Sequence, residues 1–345
     1  MICHCRIIPP NVLERLSQDK RLTEAERKHF FNMAAYEAHW RKLRTVALLS
    51  SSHAAALGSM SATVAAAAAP AITVYNCANG TNLPGAPVPN PGSSTDVTAK
   101  RTFVETTGVA DFYRQIFKRN SVDNLGMTLQ SSIHYGVKYN NAFWNGQQMT
   151  YGDGDGNIFV DFTLGNDVIA HELTHGVTQF TARLGYSNQA GGLNESMSDV
   201  FGSMFRQWSA KQNVKQADWL IGSDIMGPGA KAHGYTCLRD MAKPGAAHCL
   251  APQPTHFSEF KPNMDPHESS GIPNLAFYKA AVAIGGYSWE KAGQVWYQAL
   301  VAYRPSPSMK MRTFANRTRR QAKLLFRADP SVFKAIDAAW IAVGL

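Results

Sequence analysis

Apolar positions in residues 11–44 recur at helical spacing, with Val12, Leu13 and Leu16 on one stripe and Phe30, Phe31, Ala34 and Trp40 on a later one. These stripes predict a small helical module whose other positions are highly charged. An Ala/Ser-rich segment of low complexity follows over 45–69, the composition of an exposed, cleavable connection. From Ile72 the period becomes that of strands: "AITVYN", "TLQSSIHYGV", "NAFW" and "QQMTYG" stand between Gly/Pro/Asn turns. One helix, about Val97 to Lys118, interrupts them. Beyond Asn166 the pattern is mostly helical, over 166–182, 193–210, 271–285, 288–302, 308–326 and 330–342. The chain thus divides into a module at 1–50, a linker at 51–70, a β-rich lobe at 71–190 and an α-helical lobe at 191–345. This is an α+β architecture with two lobes.

Composition changes that picture little. Charged residues make up 17 % and hydrophobic ones 45 % of the 345 residues, an ordinary globular mix. The net charge of +9 is concentrated at the ends: residues 1–44 carry nine Lys/Arg against five Asp/Glu, and 304–334 carry nine against Asp329 alone. No aromatic-interleaved nucleic-acid motif accompanies either run, so each reads as a solvated helical face. The alternative for them is a docking surface for an acidic partner such as a protein inhibitor. Neither nucleic acid nor a membrane is expected as a partner. Of the five cysteines, Cys237 and Cys249 are near enough in sequence to close a loop in an oxidising compartment, which would leave Cys77 free. "MICHCRIIPPNVLERL" has no apolar core and is no classical signal peptide. Export by a non-classical route is favoured over a cytoplasmic location.

The chemistry lies in "HELTHGVTQF", residues 171–180. On a helix of 3.6 residues per turn, His171 and His175 share a face, so both imidazoles can reach one ion. Imidazole pairs suit zinc, which in catalytic sites takes three protein ligands. "GGLNESMSD" offers Glu195, with Asp199 one turn beyond it; one carboxylate can bind metal while the other orients a ligand histidine. Glu172, beside a ligand but not ligating, is placed to take a proton from an attacking water. The remaining histidines (His29, His39, His53, His134, His233, His248, His256) have no partner at ligand spacing and read as surface or structural.

"YNNAFWNGQQMTYGDGDG", "DVIAHELTHGVTQFTARLGY", "GGLNESMSDVFG" and "HESSGIPNLAFY" resemble, in order, the signatures of the thermolysin family of zinc metalloendopeptidases. The resemblance spans roughly 72–345. "CRIIPPNVL" and the short module resemble the protealysin branch, whose members are made with a compact propeptide. The resemblance implies a two-lobed thermolysin-like fold with the active-site helix between the lobes. By position it makes His171, His175 and Glu195 the ligands of one catalytic zinc and Glu172 the general base. Asp199 would hold His171, and Asn194 would support His175. Tyr186 and His267 would stabilise the oxyanion, and Arg239 would bind the substrate carbonyl beyond the scissile bond. Asn141 and Ala142 would hydrogen-bond extended substrate. Phe159, Phe162, Val168 and Leu238 would wall an apolar pocket for the residue after the cleaved bond. A zinc protein that has lost turnover and serves as an interaction module is the alternative.

Three departures bear on these expectations. Ser269 stands where the family usually has Asn, and the segment before His267 is shortened, with Asp265 available as that histidine's acid partner. At the family's double calcium site the chain keeps Asp167 and Asp218 but has Arg206, Leu220 and Ser223. A guanidinium among few carboxylates disfavours a cation that wants six to eight oxygens, so Ca2+ is not expected there. The "GDGDGN" run reads as a turn rather than a calcium loop. At the N-terminus, Pro9-Pro10 fixes an extended backbone and Asn11 starts an amphipathic helix. An extended segment beside the edge strand "NAFW" can pair as substrate does. Residues 1 to about 50 are therefore expected to inhibit in cis and to be cut off within the linker. Either a thiolate of Cys3 or Cys5 on the metal, or packing of Ile7 and Ile8 into the apolar pocket, would do the blocking.

Overall fold

The computed structural model describes residues 5–50 and 69–345. The N-terminal module comprises strand β1 (Cys5–Arg6), helix α1 (Pro10–Gln18) and the long helix α2 (Glu24–Ser50). The β-rich lobe carries β2 (Ile72–Asn76), β3 (Ala86–Pro87), α3 (Val97–Phe117), β4 (Leu129–Ile133), β5 (Ala142–Trp144) and β6 (Met149–Tyr151). Helix α4 (Asn166–Phe180) crosses to α5 (Asn188–Ser209). Then come β7 (Leu220–Ile221), α6 (Pro228–Ala232), β8 (Arg239–Asp240), α7 (Pro266–Ser269), α8 (Gly271–Ile284), α9 (Lys291–Val301), α10 (Met311–Leu325) and α11 (Pro330–Ala342).

The six-stranded sheet runs β1-β5-β6-β4-β2-β3, with parallel pairs only at β6/β4 and β4/β2. Its β1 edge comes from the N-terminal module, antiparallel to β5 with Arg6 opposite Phe143. Behind the sheet, α4 is buried from Asp167 to Thr178, which is why its sequence shows little amphipathic contrast. Trp144 Nε1 donates to Gln179 Oε1 at 2.9 Å, tying β5 to α4. Tyr113 of α3 shares a 2.7 Å hydroxyl hydrogen bond with Thr174. The helix that bears the histidine pair is thus held from the sheet and from α3.

Local chemistry starts the module's helices. Pro10 sits in the first turn of α1, where a missing N–H costs nothing, and Val12, Leu13 and Leu16 turn inward. Thr23 and Glu26 form a reciprocal cap at the start of α2: the Thr23 N–H donates to Glu26 Oε2 at 2.8 Å, and the Glu26 N–H to Thr23 Oγ1 at 3.3 Å. Helix α2 lies across the β-rich lobe, where its His29 ring meets the Lys138 carbonyl and Tyr36 pairs with Tyr135. Its Phe30 stands edge-on to Phe159 at 6.5 Å.

Several boundaries differ from the sequence expectation, among them α9, which opens at Lys291 rather than 288, and α10, which opens at Met311 rather than 308. Helix α5 begins at Asn188 rather than 193, because Gly191 and Gly192 lie inside it instead of opening it. A Cβ at Gly191 would come within 2.8 Å of Pro266 Cγ, and one at Gly192 would run into Ser269 Oγ. These glycines let α7 approach α5. The strand expected over "TLQSSIHYGV" stops at Ile133, since His134 takes a left-handed conformation (φ 52°). The expected linker and cleavage region fall mostly on 51–68, outside the described residues, while α2 continues to Ser50 through the start of the Ala/Ser-rich stretch. Among the described residues no helix is long and apolar enough to cross a membrane.

Candidate active site

Helix α4 presents His171 and His175 on one face, and α5 presents Glu195 opposite them. The two Nε2 atoms lie 3.1 Å apart, and they stand 3.4 and 3.5 Å from the oxygens of Glu195. All three residues are fully or almost fully buried. The far side of each ring is tethered: His171 Nδ1 to Asp199 Oδ1 at 3.0 Å, and His175 Nδ1 to Asn194 Oδ1 at 2.9 Å. Both tethers use Nδ1 and leave Nε2 directed at the shared point.

The electrostatics are those of a cavity built around positive charge. Burial alone would raise Glu195, but His267, His175 and His171 hold its carboxyl well below the usual range. Burial likewise works against Asp199, yet Arg239 and His171 bring it down to about 2. Burial and the charge of His171 push His175 down to about 4, against the opposing pull of Glu195. Glu172 behaves oppositely. Its carboxylate oxygens are buried with no side-chain partner, and burial outweighs the charge of His171 and the Trp144 N–H to push its carboxyl up to about 8.

On the other side of the triad, Tyr186 Oη hydrogen-bonds to Glu195 and stands 3.2 Å from His267 Nε2. His267 Nδ1 lies 2.7 Å from Asp265, so the shortened segment still supplies an acid partner. Burial opposes a charge on this ring, but Glu195 and Asp265 outweigh it and raise its pKa. Ser269, in place of the family's Asn, bonds only locally, to the Pro266 carbonyl. Arg239, fully buried, makes a two-nitrogen fork on Asp199 at 2.7 and 2.9 Å.

The N-terminal arm runs through this cleft. The Ile7 N–H donates to the Ala142 carbonyl at 3.2 Å, and the Ile8 N–H to Asn141 Oδ1 at 2.9 Å. Asn141 Nδ2 returns a bond to the Ile8 carbonyl at 3.2 Å. Arg239 Nη1 donates to the Ile7 carbonyl at 3.1 Å, and His267 Nε2 to the Arg6 carbonyl. Phe159, Phe162, Val168 and Leu238 are fully buried, as are Ile7 and Ile8, and the Phe159 and Phe162 rings pack 5.6 Å apart. Cys3 and the side chain of Cys5 lie outside the described residues.

Residues 60–179 match the thermolysin metallopeptidase catalytic domain, and 182–345 match its alpha-helical domain. The chain belongs to the thermolysin family. It is accordingly a metalloendopeptidase, a hydrolase of peptide bonds. An extracellular metalloprotease of Pectobacterium carotovorum subsp. carotovorum is 42 % identical over 284 residues, covering 79 % of this chain and 80 % of the relative. Protease PrtS of Photorhabdus sp. (strain Az29) is 41 % identical over 286 residues, 79 % of this chain and 76 % of its own. The structure is also similar to the precursor of protealysin, a metalloproteinase from Serratia proteamaculans. That likeness has a TM-score of 0.82 and 37 % identity over 99 % of both chains.

The thermolysin family is zinc-dependent, and the donor set fits that ion. A tetrahedral centre with bonds of about 2.0–2.2 Å to nitrogen and oxygen has edges of roughly 3.4 Å. The 3.1–3.5 Å separations among His171, His175 and Glu195 bracket that value.

Some participants escaped the sequence reading. Asn274 Nδ2 donates to Asp199 Oδ2 at 2.9 Å, and Ser198 Oγ lies 3.1 Å from His175 Nδ1. Both sit inside motifs whose apolar neighbours mark buried helix faces, which was the available signal. His134 and His248 also have partners that spacing did not reveal. His134 lies between Asp96 and Asp153, and His248 bonds to Asp240 beside Cys237 and Cys249. The two thiols are free, with sulfurs 3.9 Å apart.

Proposed function

We propose that this peptidase is a self-inhibited precursor cleaving on the N-terminal side of bulky hydrophobic residues. The carrying observation is the arm, whose Arg6–Ile8 backbone takes up the hydrogen-bonding groups a substrate would need. In this reading His171, His175 and Glu195 hold zinc, which when bound supplies the Lewis acidity that polarises a carbonyl and makes water nucleophilic at neutral pH. Glu172 takes the proton of the attacking water and passes it to the leaving amine; its lack of a side-chain partner and its raised pKa suit that shuttle. Tyr186 and His267 donate to the developing oxyanion. Arg239 grips the carbonyl of the residue after the cleaved bond, and Asn141 with the Ala142 carbonyl fixes the extended backbone on either side.

In that register Ile7 takes the place of the residue after the cleaved bond, among Phe159, Phe162, Val168 and Leu238. An apolar pocket discriminates by only ~1–3 kcal/mol per methylene, so preference among large apolar side chains should be broad. Residues 1 to about 50 are the inhibitory segment, to be released by cleavage within 51–70. We also infer that the family's double calcium site is replaced here. Arg206 reaches Asp224 at 2.8 Å, Asp218 at 3.5 Å and Asp167 at 3.9 Å, and so takes the counter-charge role. In "GDGDGN", Asp155 Oδ1 accepts three backbone N–H groups, those of Asn157, Ile158 and Phe159, and so serves the turn.

The hydrolytic reading is tested with Glu172→Gln in a chain starting near Ala71, assayed on casein and a labelled peptide with and without a zinc chelator. Zinc content should persist while turnover falls by ~10²-fold or more. Retention of more than about a tenth of the rate would remove Glu172 from the base role.

A further inference from the structure

We infer a second metal site, outside the catalytic centre, formed by Cys237, His248 and Cys249 and suited to zinc or a similarly soft divalent cation. Cys237 begins the segment that continues into β8, and Cys249 lies opposite it in a parallel β-bridge. Backbone bonds clamp the two strands on either side: the Thr236 N–H donates to the His248 carbonyl at 3.0 Å, and the Leu250 N–H to the Cys237 carbonyl at 2.9 Å. Both thiols are buried and point to one place, with their sulfurs 3.9 Å apart.

That distance excludes a formed disulfide and leaves the two thiols free to share an ion. A disulfide needs its sulfurs at about 2.05 Å. Two thiolates on one tetrahedral zinc, with bonds of about 2.3 Å, stand roughly 3.8 Å apart. The observed 3.9 Å, the contact of two reduced thiols, is close to the tetrahedral edge, so both sulfurs reach one ion with little movement of a backbone already fixed by its own hydrogen bonds. A ring nitrogen of His248 lies within 4.8 Å of both sulfurs, giving three convergent donors.

The surroundings supply what such a centre needs. Asp240 Oδ2 lies 3.2 Å from His248 Nε2 and fixes the ring, while its Oδ1 is held by the Ala242 and Lys243 N–H groups at 2.8 and 2.9 Å. A carboxylate behind a ligand imidazole is the usual outer support of a zinc site. Binding releases both thiol protons to solvent and leaves two thiolates on the ion, so affinity falls in acid. The His248 side chain is 35 % exposed, which gives a cation a route in from solvent. Thiolate and imidazole donors select against calcium and magnesium.

The consequence is mechanical. Cys237 is followed directly by Leu238 and Arg239, and the Ala251 N–H donates to the Leu238 carbonyl at 2.8 Å. An ion joining Cys237 to Cys249 would staple the loop whose first residues enter the active site. The Leu250 carbonyl, next to the staple, also receives Arg15 of α1.

The test counts metal in the full-length Glu172→Gln chain, kept reduced and dialysed against zinc. Two equivalents per chain are expected, falling to one in Cys237→Ser/Cys249→Ser. A His171→Ala/His175→Ala chain should also hold one. Cobalt substitution of that last protein should give a thiolate-to-cobalt charge-transfer band, which His248→Gln weakens without unfolding the loop. Should the double serine variant not fold, the band and its response to His248→Gln still decide. A single equivalent in the parent chain would overturn the proposal, as would a second equivalent that survives loss of both thiols. So would cobalt binding with no charge-transfer band.

Discussion

The arm is pinned by more than its backbone, and the pin can be pulled. Arg6 turns its guanidinium away from the cleft to an ion pair with Glu37 of α2, with side-chain exposures of 8 % and 1 %. Tyr139 Oη joins them, donating to Glu37 Oε1 at 2.9 Å and lying 3.4 Å from Arg6 Nε. Replacing Glu37 by Leu would leave a buried cation without its carboxylate, which costs about 3–5 kcal/mol in pairs of this kind. Tyr139 and the face of Phe143, 5.3 Å from the guanidinium, remain to soften the loss, so the lower end applies. About 3 kcal/mol shifts the closed-to-open balance of the arm on the order of 100-fold. A competing inhibitor sees that balance directly, because its apparent affinity scales with the fraction of open clefts. The assay is binding of a labelled substrate-like inhibitor to full-length Glu172→Gln, with and without Glu37→Leu. The chain starting near Ala71 sets the ceiling. Glu37→Leu should bind on the order of 100-fold tighter than its parent, or reach that ceiling. Adding Arg6→Met, which removes the stranded charge, should return most of the difference. If Glu37→Leu binds within about threefold of the parent while the short chain binds far better, the ion pair is not what holds the arm. Equal affinity for parent and short chain would mean that no arm occupies the cleft.

The other predictions concern neighbouring parts of the molecule. Millimolar calcium should leave the melting temperature of the Glu172→Gln chain unchanged, because Arg206 already serves Asp167, Asp218 and Asp224. Calcium at a hundredfold its Kd would instead add about 2.7 kcal/mol and raise the melting temperature by degrees, which would refute this reading. His134, bonded chiefly to Asp153 and also to Asp96, has its pKa raised from 6.5 to about 9. A raised folded-state value contributes stability that is complete below pH 6.5 and lost as pH rises through about 9. Partial exposure of the cluster limits the contribution to about 1 kcal/mol. His134→Gln should flatten the decline between those pH values, and equal slopes would remove His134 as its cause. If His267 serves the oxyanion as proposed, Asp265→Asn should lower kcat of the short chain about tenfold with KM little changed, by weakening the charge on that ring. An unaltered kcat would show that Asp265 only caps α7.

What the sequence determined by itself is what short-range geometry controls. His171 and His175 share a face because both lie on one helix, and four residues always bring side chains to the same side. Pro9-Pro10 followed by an apolar stripe wrote α1 into the N-terminal module in the same way. The order of the longer strands and helices was legible for the same reason, although β7, α6, β8 and α7 were not foreseen and the glycines before "LNESMSD" misled. Their absent side chains answer to α7, far along the chain, and not to a helix end.

Spacing alone left the two carboxylates interchangeable; the family resemblance separated them, and the tertiary structure shows where each one lies. Glu195 and Asp199 are one turn apart and chemically alike. The packing of α4 on α5 brings Glu195 to both Nε2 atoms and sets Asp199 behind His171, where Arg239 and Asn274 also meet it. The register of the arm has the same origin, since Ile8 meets Asn141 across 133 positions of sequence. Cys237, His248 and Cys249 converge because a loop folds back into a β-bridge, and no periodicity records that closure. Hydrophobic burial fixes each helix face to within a turn, but the choice between neighbouring polar atoms rests on distances of a few tenths of an ångström, which residues remote in sequence impose.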